Sequence, residues 1–501
     1  MSLYNLLQNE RMKLYKKPST WIIISVIAGL TSVMLVFIGI GSRIGEFWDG
    51  YSWEDQYKSQ LQYEQYNQKE ADPMIAIPAK YQVEKLQYLL DNEIPPEDWR
   101  TDIADYLWGA QGEAGLCQWM LTQTEYEPEY AELEQTLAAA RTETAKWQAI
   151  LDSGDWKALI RQRLEDVDSD SSLSTEKEKE ARREVLRLQL ELEIEPISLA
   201  GYYSPYISAD SQWRTTELQQ VEDNKLSLLR GEQNGMALTS TQRKNIETQI
   251  EVSLERLRTD TAPLDMTTFG GLMDFSTSSL ELIAIVLVVI AGGLIAGECS
   301  TGTVKLLLIT PHKRSKIFWS KALLMLEVTA IIAGAMLVLS FLISGLLTGF
   351  KGIGDMQVVA LFGGVRRLPY LLYVLLKYVV FLLPVLTYGA MALMLSAVTR
   401  KNAVAVAISL LLIYGSEMVM TVLVVLSQVL GMTIPGVRFL LFSNVGLAQY
   451  FPSVSFGGID TGALMVVDGT MTLGFSVCVL LVYMACFLWI ARDSFCRRDI
   501  K

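Results

Sequence analysis

The sequence has few of the residues from which most catalytic and metal sites are built. It contains one histidine and five cysteines in 501 residues, without a Cys-x-x-Cys pair or a Cys/His cluster. Cys117 is the one cysteine between residues 42 and 275, which excludes a disulfide framework within that block. No stretch matches the phosphate-binding pattern G-x-x-x-x-G-K-[ST] or a Rossmann glycine fingerprint. We therefore predict that the chain is not an enzyme and binds no metal or cofactor itself.

Long apolar runs, in contrast, are abundant. Half of the residues are hydrophobic, and the mean hydropathy is +0.26. A helix needs about 20 apolar residues to cross a hydrocarbon layer about 30 Å thick. Runs of that length occur at 21–41, 276–297, 322–348, 371–398, 403–429 and 470–491. The pattern predicts an all-α polytopic membrane protein with six transmembrane helices. Its domains would be 1–41, a polar helical domain at 42–275, and 276–501.

The formal net charge of −12 conceals an uneven distribution. Residues 42–275 contain 45 acidic and 23 basic residues, whereas the rest of the chain contains 10 acidic and 20 basic residues. An acidic domain of this kind excludes nucleic acid as a partner, because phosphate binding requires positive charge.

Short basic stretches predict the orientation in the membrane, since they favour the cytoplasm. They precede the first span, follow the second and the fourth, and end the chain. With six spans, all of them lie on one side of a plasma membrane, so both termini are expected in the cytoplasm and 42–275 outside the cell. Four basic residues oppose this orientation, because they would lie in an outer loop or at its membrane edge: Lys351, Arg366, Arg367 and Lys377.

The segment before the first span is predicted to be an interfacial helix along the inner leaflet, because its leucines have helical spacing. The apolar stretch Trp21 to Ile40 is longer than the core of a secretory signal and lacks a clear cleavage site after it. We read it as an uncleaved anchor.

The polar block is predicted to form long helices packed as coiled-coil hairpins. Its apolar residues recur in steps of three and four, as at Leu133, Leu137 and Ala140. Ser174 or Thr175 with Glu178 is typical of a capped helix start. The aromatic residues of 42–128 either fill a helical core and interfacial belt or line a surface for a lipid or an amphipathic peptide.

Two features of the membrane segments suggest function. Glu417 lies near the middle of an apolar run, where an ionised carboxylate is costly. It is either protonated and hydrogen-bonded between helices, or it lines a translocation path or a dimer interface. Residues 430–469 are apolar but broken by glycines and prolines, which predicts a re-entrant segment at the outer face. Glu327 is expected to reach the interface or to pair with Lys321.

The stretch 298–321 is the most informative part of the sequence. It joins the second and third apolar runs, and its helix-like core, Thr303 to Ile309, is stopped by Pro311. The order of its residues is Glu, Gly-Thr, a leucine run, Pro, a basic cluster and Lys. That order resembles the first cytoplasmic loop of ABC-2-type transporter permeases. The matching positions, together with the rest of the basic cluster, are Glu298, Gly302, Thr303, Pro311, Lys313, Arg314, Lys316 and Lys321.

The resemblance implies a role for this loop as the coupling helix on which an ATPase subunit acts. It also implies that two permease chains, identical or homologous, form the pore within the membrane lipids. Two ATPase subunits would bind to them and hold ATP-Mg. The block 42–275 is similar in position to insertions between the first two spans of sodium-export-type and antimicrobial-peptide-resistance permeases and of lipid exporters of the eukaryotic A subfamily. The resemblance therefore implies the permease subunit of an exporter that moves or removes a lipid-like, amphipathic or antimicrobial-peptide compound.

A different reading is a membrane-anchored sensor or scaffold. In that case the outer helical domain would bind a ligand, and the loop would signal through a cytoplasmic partner. A neighbouring gene for a lone ATPase favours the transporter, and one for a histidine kinase favours the sensor.

Overall fold

A computed structural model describes residues 3–48, 52–123, 126, 130–198, 209–233, 236–238, 240–265, 268–301, 313–361, 364–430, 436–451 and 471–497. The described part is helical apart from two short antiparallel hairpins, which confirms the all-α class. The first hairpin pairs β1 (Glu232–Gln233) with β2 (Met236–Ala237). The chain divides into two compact units. We call Ile44–Arg230 the polar unit, and Met1–Arg43 with Gly231–Lys501 the membrane unit.

The polar unit is built from amphipathic helices with defined ends. They are α3 (Trp53–Asn67), α4 (Pro73–Asp91), α5 (Trp99–Met120), α6 (Tyr130–Ser153), α7 (Trp156–Asp166), α8 (Glu176–Glu191) and α9 (Ala209–Arg230). Asp72, Asp98 and Asp155 cap three of them. Each side chain accepts a hydrogen bond from the amide of the second residue of its helix. Gly154, with φ +62°, follows the end of α6.

The helices of the polar unit pack together through apolar stripes on their surfaces. α3, α4, α5 and α6 pack in sequence, and α8 packs on α9. The stripe predicted on α6 faces inward, with Ala140, Trp147 and Leu151 buried. The aromatic residues differ in exposure: Tyr57 and Trp99 are buried in the helical core, whereas Tyr63 and Tyr66 are about two-thirds exposed.

The capped start predicted before α8 is confirmed. The Thr175 hydroxyl accepts a hydrogen bond from the Glu178 amide at 3.3 Å, and the Glu178 carboxylate accepts one from the Thr175 amide at 2.9 Å. This reciprocal arrangement is a capping box. Glu178 also pairs with Arg230 at 2.7 Å, so the same residue connects α8 to the end of α9.

The membrane unit contains the apolar helices together with the more polar α1 and α10. They are α1 (Leu3–Tyr15), α2 (Pro18–Trp48), α10 (Ser240–Thr259), α11 (Phe269–Ser278), α12 (Leu280–Ser300), α13 (Arg314–Thr348), α14 (Tyr370–Thr399), α15 (Asn402–Leu430), α16 (Leu441–Val445) and α17 (Leu473–Arg497). Among the described residues, six stretches are long and apolar enough to cross a membrane: Thr20–Gly41, Phe269–Ser300, Arg314–Thr348, Tyr370–Thr399, Asn402–Leu423 and Leu473–Arg497. This confirms the six predicted spans.

Small residues let the central spans approach closely. A Cβ atom on Gly292 would lie 2.7 Å from Val406, and one on Gly389 would lie 2.6 Å from Leu287. The Ser396 hydroxyl donates to the Gly292 carbonyl at 2.6 Å and accepts from the Ala296 amide at 2.9 Å. Within lipid, the hydrophobic effect does not drive helices together, so close packing and hydrogen bonds between helices stabilise their association. These contacts bind α12, α14 and α15 into the core of the unit.

Residues 231–275, the last part of the predicted domain 42–275, group with the membrane unit by their contacts. Within it, α10 packs on a hairpin of β3 (Met356–Leu361) and β4 (Gly364–Pro369), paired so that Val359 faces Arg366. The hairpin, which was not predicted, buries Val358 and Val359 while Arg366 and Arg367 stay exposed.

Candidate functional site

The first helix of the chain carries a carboxylate within its apolar stripe. Leu6, Leu7, Glu10 and Leu14 share one face of α1, and α1 packs against α13. Glu10 is 6% exposed and Leu14 is 8% exposed. A buried carboxylate requires a partner, because loss of hydration disfavours its charge.

Lys321 provides that partner. Its side chain, in the second turn of α13, is fully buried. The Nζ atom lies 2.9 Å from Glu10 Oε2 and 2.9 Å from Glu298 Oε1 at the end of α12. One ammonium therefore joins the first helix of the chain to the second and third spans.

Lys13 completes the arrangement from the more exposed side. Its Nζ atom lies 3.1 Å from Glu10 Oε1 and 3.0 Å from Glu298 Oε1. Two carboxylates and two ammonium groups thus neutralise one another. We call Glu10, Lys13, Glu298 and Lys321 the ion cluster.

The ion cluster shifts the proton affinity of its members on α1. Burial by itself would raise the pKa of Glu10, but the attraction and hydrogen bonds of Lys321 and Lys13 outweigh it, and the pKa is lowered. Burial likewise opposes the charge on Lys13, yet Glu10 and Glu298 raise its pKa. Both side chains therefore remain charged through the neutral range.

Arg11 forms a second link beside the ion cluster. Its Nε atom lies 2.8 Å from the Glu327 carboxylate on α13, and this contact raises the pKa of Arg11. The expectation that Glu327 pairs with Lys321 is therefore wrong. The reason is that Lys321 already has two carboxylate partners, and Arg11 reaches Glu327 from α1.

The first turn of α13 is also connected to the last span. Arg314 Nη1 donates to the Cys496 carbonyl at 3.3 Å, and Arg492 Nε donates to the Ser315 hydroxyl at 3.3 Å. Ser494 on α17 donates to the Ala397 carbonyl near the end of α14 at 3.3 Å. The helices that flank residues 302–312 are thus connected to α1, α14 and α17.

The structure brings some of the predicted loop residues together. Glu298 and Lys321 are in contact, although Lys321 lies in a helix because α13 begins at Arg314. Lys313 and Lys316 are exposed. Gly302, Thr303, Pro311 and the helix expected at Thr303–Ile309 lie outside the described residues.

The other predicted sites are described only in part. The backbone of Glu417 lies in α15, as expected, but its side chain lies outside the described residues. Of the segment 430–469, residues 436–451 form short helical turns, Val437–Phe439, Leu441–Val445 and Leu447–Tyr450. Residues 452–469 lie outside the described part.

Sequence reasoning missed the partners on α1. The available signal was Glu10, the one acidic residue inside a leucine stripe that otherwise predicts an interfacial helix. The hydrogen bond from Lys321 to Glu10 joins residues 311 positions apart. Spacing along the chain cannot predict such a pair.

A second buried ion pair lies in the membrane unit. Lys377 Nζ on α14 lies 2.7 Å from Asp274 Oδ1 and 2.8 Å from Asp274 Oδ2 on α11. The two residues are 5% and 4% exposed. Lys377 was expected in an outer loop or at its membrane edge. It lies in the second turn of a span helix, and Asp274 neutralises its charge. Lys351, Arg366 and Arg367 remain exposed.

No group of three or more His, Cys, Asp or Glu residues that could hold a metal ion occurs in the part of the chain that the structure describes. The ion cluster contains two carboxylates whose charges are already balanced by lysines. Its chemistry is that of a structural junction between helices.

Comparison with known proteins finds similar proteins, one of which is described as a membrane protein. A family model described as a protein of unknown function (DUF2705) matches residues 257–501. The chain is 28% identical over 233 residues to the uncharacterized membrane protein YdbK of Bacillus subtilis (strain 168), which covers 46% of this chain and 84% of that protein. It is 29% identical over 225 residues to the uncharacterized protein YhcI of the same organism, which covers 42% of this chain and 63% of that protein. Together with the six apolar helices, these similarities indicate a membrane-embedded protein.

Proposed function

We propose that this chain is the permease subunit of an ATP-driven exporter of the ABC-2 type. The observation that carries the proposal is the ion cluster. It joins both helices that flank residues 302–312 to α1 through a fully buried lysine. A segment on which another subunit pushes must be held between helices that move together, and this junction supplies that rigidity.

The distribution of charge supports a cytoplasmic location for this end of the bundle. The exposed residues Lys313 and Lys316 precede and begin α13, and Arg314 contacts the end of α17. Arg400 and Lys401 follow α14, which is hydrogen-bonded to α17 near that point. Basic residues gathered at one end of the spans favour the cytoplasmic side. On this orientation both termini are cytoplasmic and the polar unit is outside the cell.

The mechanism follows from this arrangement. Two ATPase subunits hold ATP-Mg, and their ATP-driven closure makes each push on the segment 302–312 of one permease chain. The ion cluster transmits the displacement to α1, α12 and α13. A second permease chain, identical or homologous, completes the pathway within the membrane lipids.

The substrate class follows from the resemblance and not from a site in the chain. Insertions in this position occur in antimicrobial-peptide-resistance permeases, in lipid exporters and in sodium-export-type permeases, and we propose a lipid-like, amphipathic or antimicrobial-peptide cargo. The exposed Tyr63 and Tyr66 of the polar unit are available to such a compound. Coiled-coil pairing of α8 with α9 would stiffen the unit that receives it.

The test is stimulation of the ATPase partner by the permease. Lys313, Arg314 and Lys316 are replaced together by alanine, and ATP hydrolysis of the reconstituted complex is measured. We expect the stimulated component to be lost, because the basic side chains contact the partner. The matched control replaces the exposed basic residues Lys351, Arg366 and Arg367, which lie between α13 and α14, and should retain full stimulation.

An unchanged stimulated rate in the first triple variant would overturn the proposed coupling surface. Equal losses of stimulated ATP hydrolysis in both triple variants would indicate a general effect of net charge and would also reject the proposed coupling surface. Association with a signalling kinase and no ATPase would favour the sensor or scaffold.

A further inference from the structure

The ion pair Asp274–Lys377 lies at the opposite end of the second span from the ion cluster. Asp274 precedes Glu298 by 24 residues, or about 36 Å along a helix that rises 1.5 Å per residue. The stretch is helical except for a turn at Ser279 between α11 and α12. The second span therefore has a charged junction at each boundary of a hydrocarbon layer about 30 Å thick.

Hydrogen bonds hold α11 on one face of α14. Besides the ion pair, Tyr373 donates to Asp274 Oδ1 at 3.1 Å, and Tyr370 donates to the Gly270 carbonyl at 2.9 Å. Tyr378 and Ser276 share a hydrogen bond of 2.9 Å. Each buried polar group named here has a partner, which a stable buried ion pair requires.

The same lysine also holds the segment 436–451. Its ammonium lies 5.4 Å from the ring centre of Phe381 and 5.8 Å from those of Tyr373 and Phe451. Phe451 follows the last helical turn of the segment and packs edge-on against Phe381 at 5.6 Å. A desolvated ammonium within about 6 Å of an aromatic ring is attracted by the ring's face.

A second set of contacts attaches this segment to the last span. Tyr450 and Ser476 share a hydrogen bond of 2.8 Å, and Tyr483 donates to the Phe439 carbonyl at 3.1 Å. The segment thus lies across the ends of α14 and α17, and Leu447 within it is 1% exposed. The position of the segment on α14 depends on the ring of Phe451, which faces Lys377.

We propose that Asp274 and Lys377 form a latch that positions the segment 436–451 on α14 and keeps Leu447 covered. Lys377 is the positioning residue: Asp274 fixes its ammonium, and the ammonium fixes Phe451. Release of the latch uncovers Leu447. The inference that release accompanies ATP hydrolysis rests on the proposed function, whereas the positioning role does not.

The test uses a single reporter cysteine. Leu447 is changed to cysteine in a full-length chain whose five native cysteines are replaced, and its labelling rate with a small maleimide is measured in membrane vesicles. Lys377→Met should raise the rate by roughly tenfold or more, equivalent to about 1.4 kcal/mol. Lys351→Met, the same substitution at an exposed lysine, should leave the rate unchanged.

A double variant separates the latch from simple misfolding. In Asp274→Asn with Lys377→Met no buried charge remains unpaired, so the fold is retained, as checked by gel filtration. Labelling should still be fast, because the Lys377 ammonium no longer contacts the Phe451 ring. Slow labelling in this variant would overturn the proposal.

Addition of ATP and the ATPase partner to the reporter chain with an intact latch distinguishes the two proposals. Faster labelling during hydrolysis supports both. If the variants label fast but ATP has no effect, the positioning role stands and release by ATP hydrolysis is rejected. If ATP accelerates labelling but the double variant stays slow, the latch is rejected and the permease assignment stands.

Discussion

At the scale of single residues, the membrane unit is organised by buried lysines with two or more partners each. Lys321 is fully buried between Glu10 and Glu298, and Lys377 is bonded to both oxygens of Asp274. Removal of one member of a buried pair leaves an uncompensated charge, which costs more than the pair contributes. These lysines are therefore the positions where a single substitution has the largest effect.

We predict that Lys321→Met strongly destabilises the membrane unit. Glu10 and Glu298 would keep one shared ammonium, that of Lys13, and the loss should approach the about 3–5 kcal/mol seen when buried pairs are broken. Thermal denaturation in detergent measures it. Lys316→Met, at an exposed lysine of the same helix, should change stability by less than about 0.5 kcal/mol. Equal denaturation curves for the two variants would contradict the role of the ion cluster.

We also predict a specific pH dependence for Glu10. Its pKa is lowered from 4.5 in the folded chain, so its stabilising contribution is present above that value and is lost as the pH falls through the lowered folded pKa. Glu10→Gln should therefore denature earlier than the unmodified chain at neutral pH.

The difference between these two chains should shrink as the pH falls below 4.5. The measurement is the denaturation temperature of both chains between pH 7 and pH 3. Glu134→Gln, at an exposed carboxylate of α6, is the control. A difference that stays constant over this range would show that the Glu10 charge does not stabilise the fold.

At the scale of helices, a capped start was predictable, whereas long-range partners were not. The sequence predicted a capped start at Ser174 or Thr175, because caps act within a few residues, and the structure has it at Thr175. It did not predict that α13 begins at Arg314, because the polar residues before the apolar run looked like a loop. Lys321 is tolerated in that helix only because α1 and α12 supply carboxylates.

The capping box gives a prediction for one helix. Thr175→Ala removes the acceptor for the Glu178 amide and should cost about 1 kcal/mol. Hydrogen exchange of the first-turn amides of α8 should become roughly fivefold faster, since local opening governs exchange. Thr142→Ala, in the interior of α6 where the hydroxyl bonds only the Ala138 carbonyl, should not speed exchange in its own helix. Unchanged exchange in α8 would show that the cap contributes nothing.

At the scale of the whole molecule, hydropathy predicted the spans. The six apolar runs match the six spans closely, because length and composition alone decide whether a helix can cross a bilayer. The domain 42–275 stays a prediction, but its last part, residues 231–275, groups with the membrane unit by contacts. The sequence could not show this, because α10 has the same charged, amphipathic sequence as the helices before it and yet packs on the hairpin of β3 and β4.

The orientation gives a prediction for the whole chain. In a background without native cysteines, Lys316→Cys should react with an impermeant maleimide only after cells are permeabilised. Lys69→Cys, exposed in the polar unit, should react in intact cells. The reverse pattern would place residues 302–312 outside the cell and remove the basis for coupling to an ATPase.

Co-purification tests the central claim most directly. The tagged full-length chain is isolated from its native membrane in mild detergent, and the bound subunits are identified by mass spectrometry. We predict an ATP-hydrolysing subunit of the ABC class in equimolar amount. This subunit should be lost when Lys313, Arg314 and Lys316 are replaced together by alanine. A preparation without such a subunit, or a triple variant that keeps it fully, would contradict the proposal that this chain is an ABC permease.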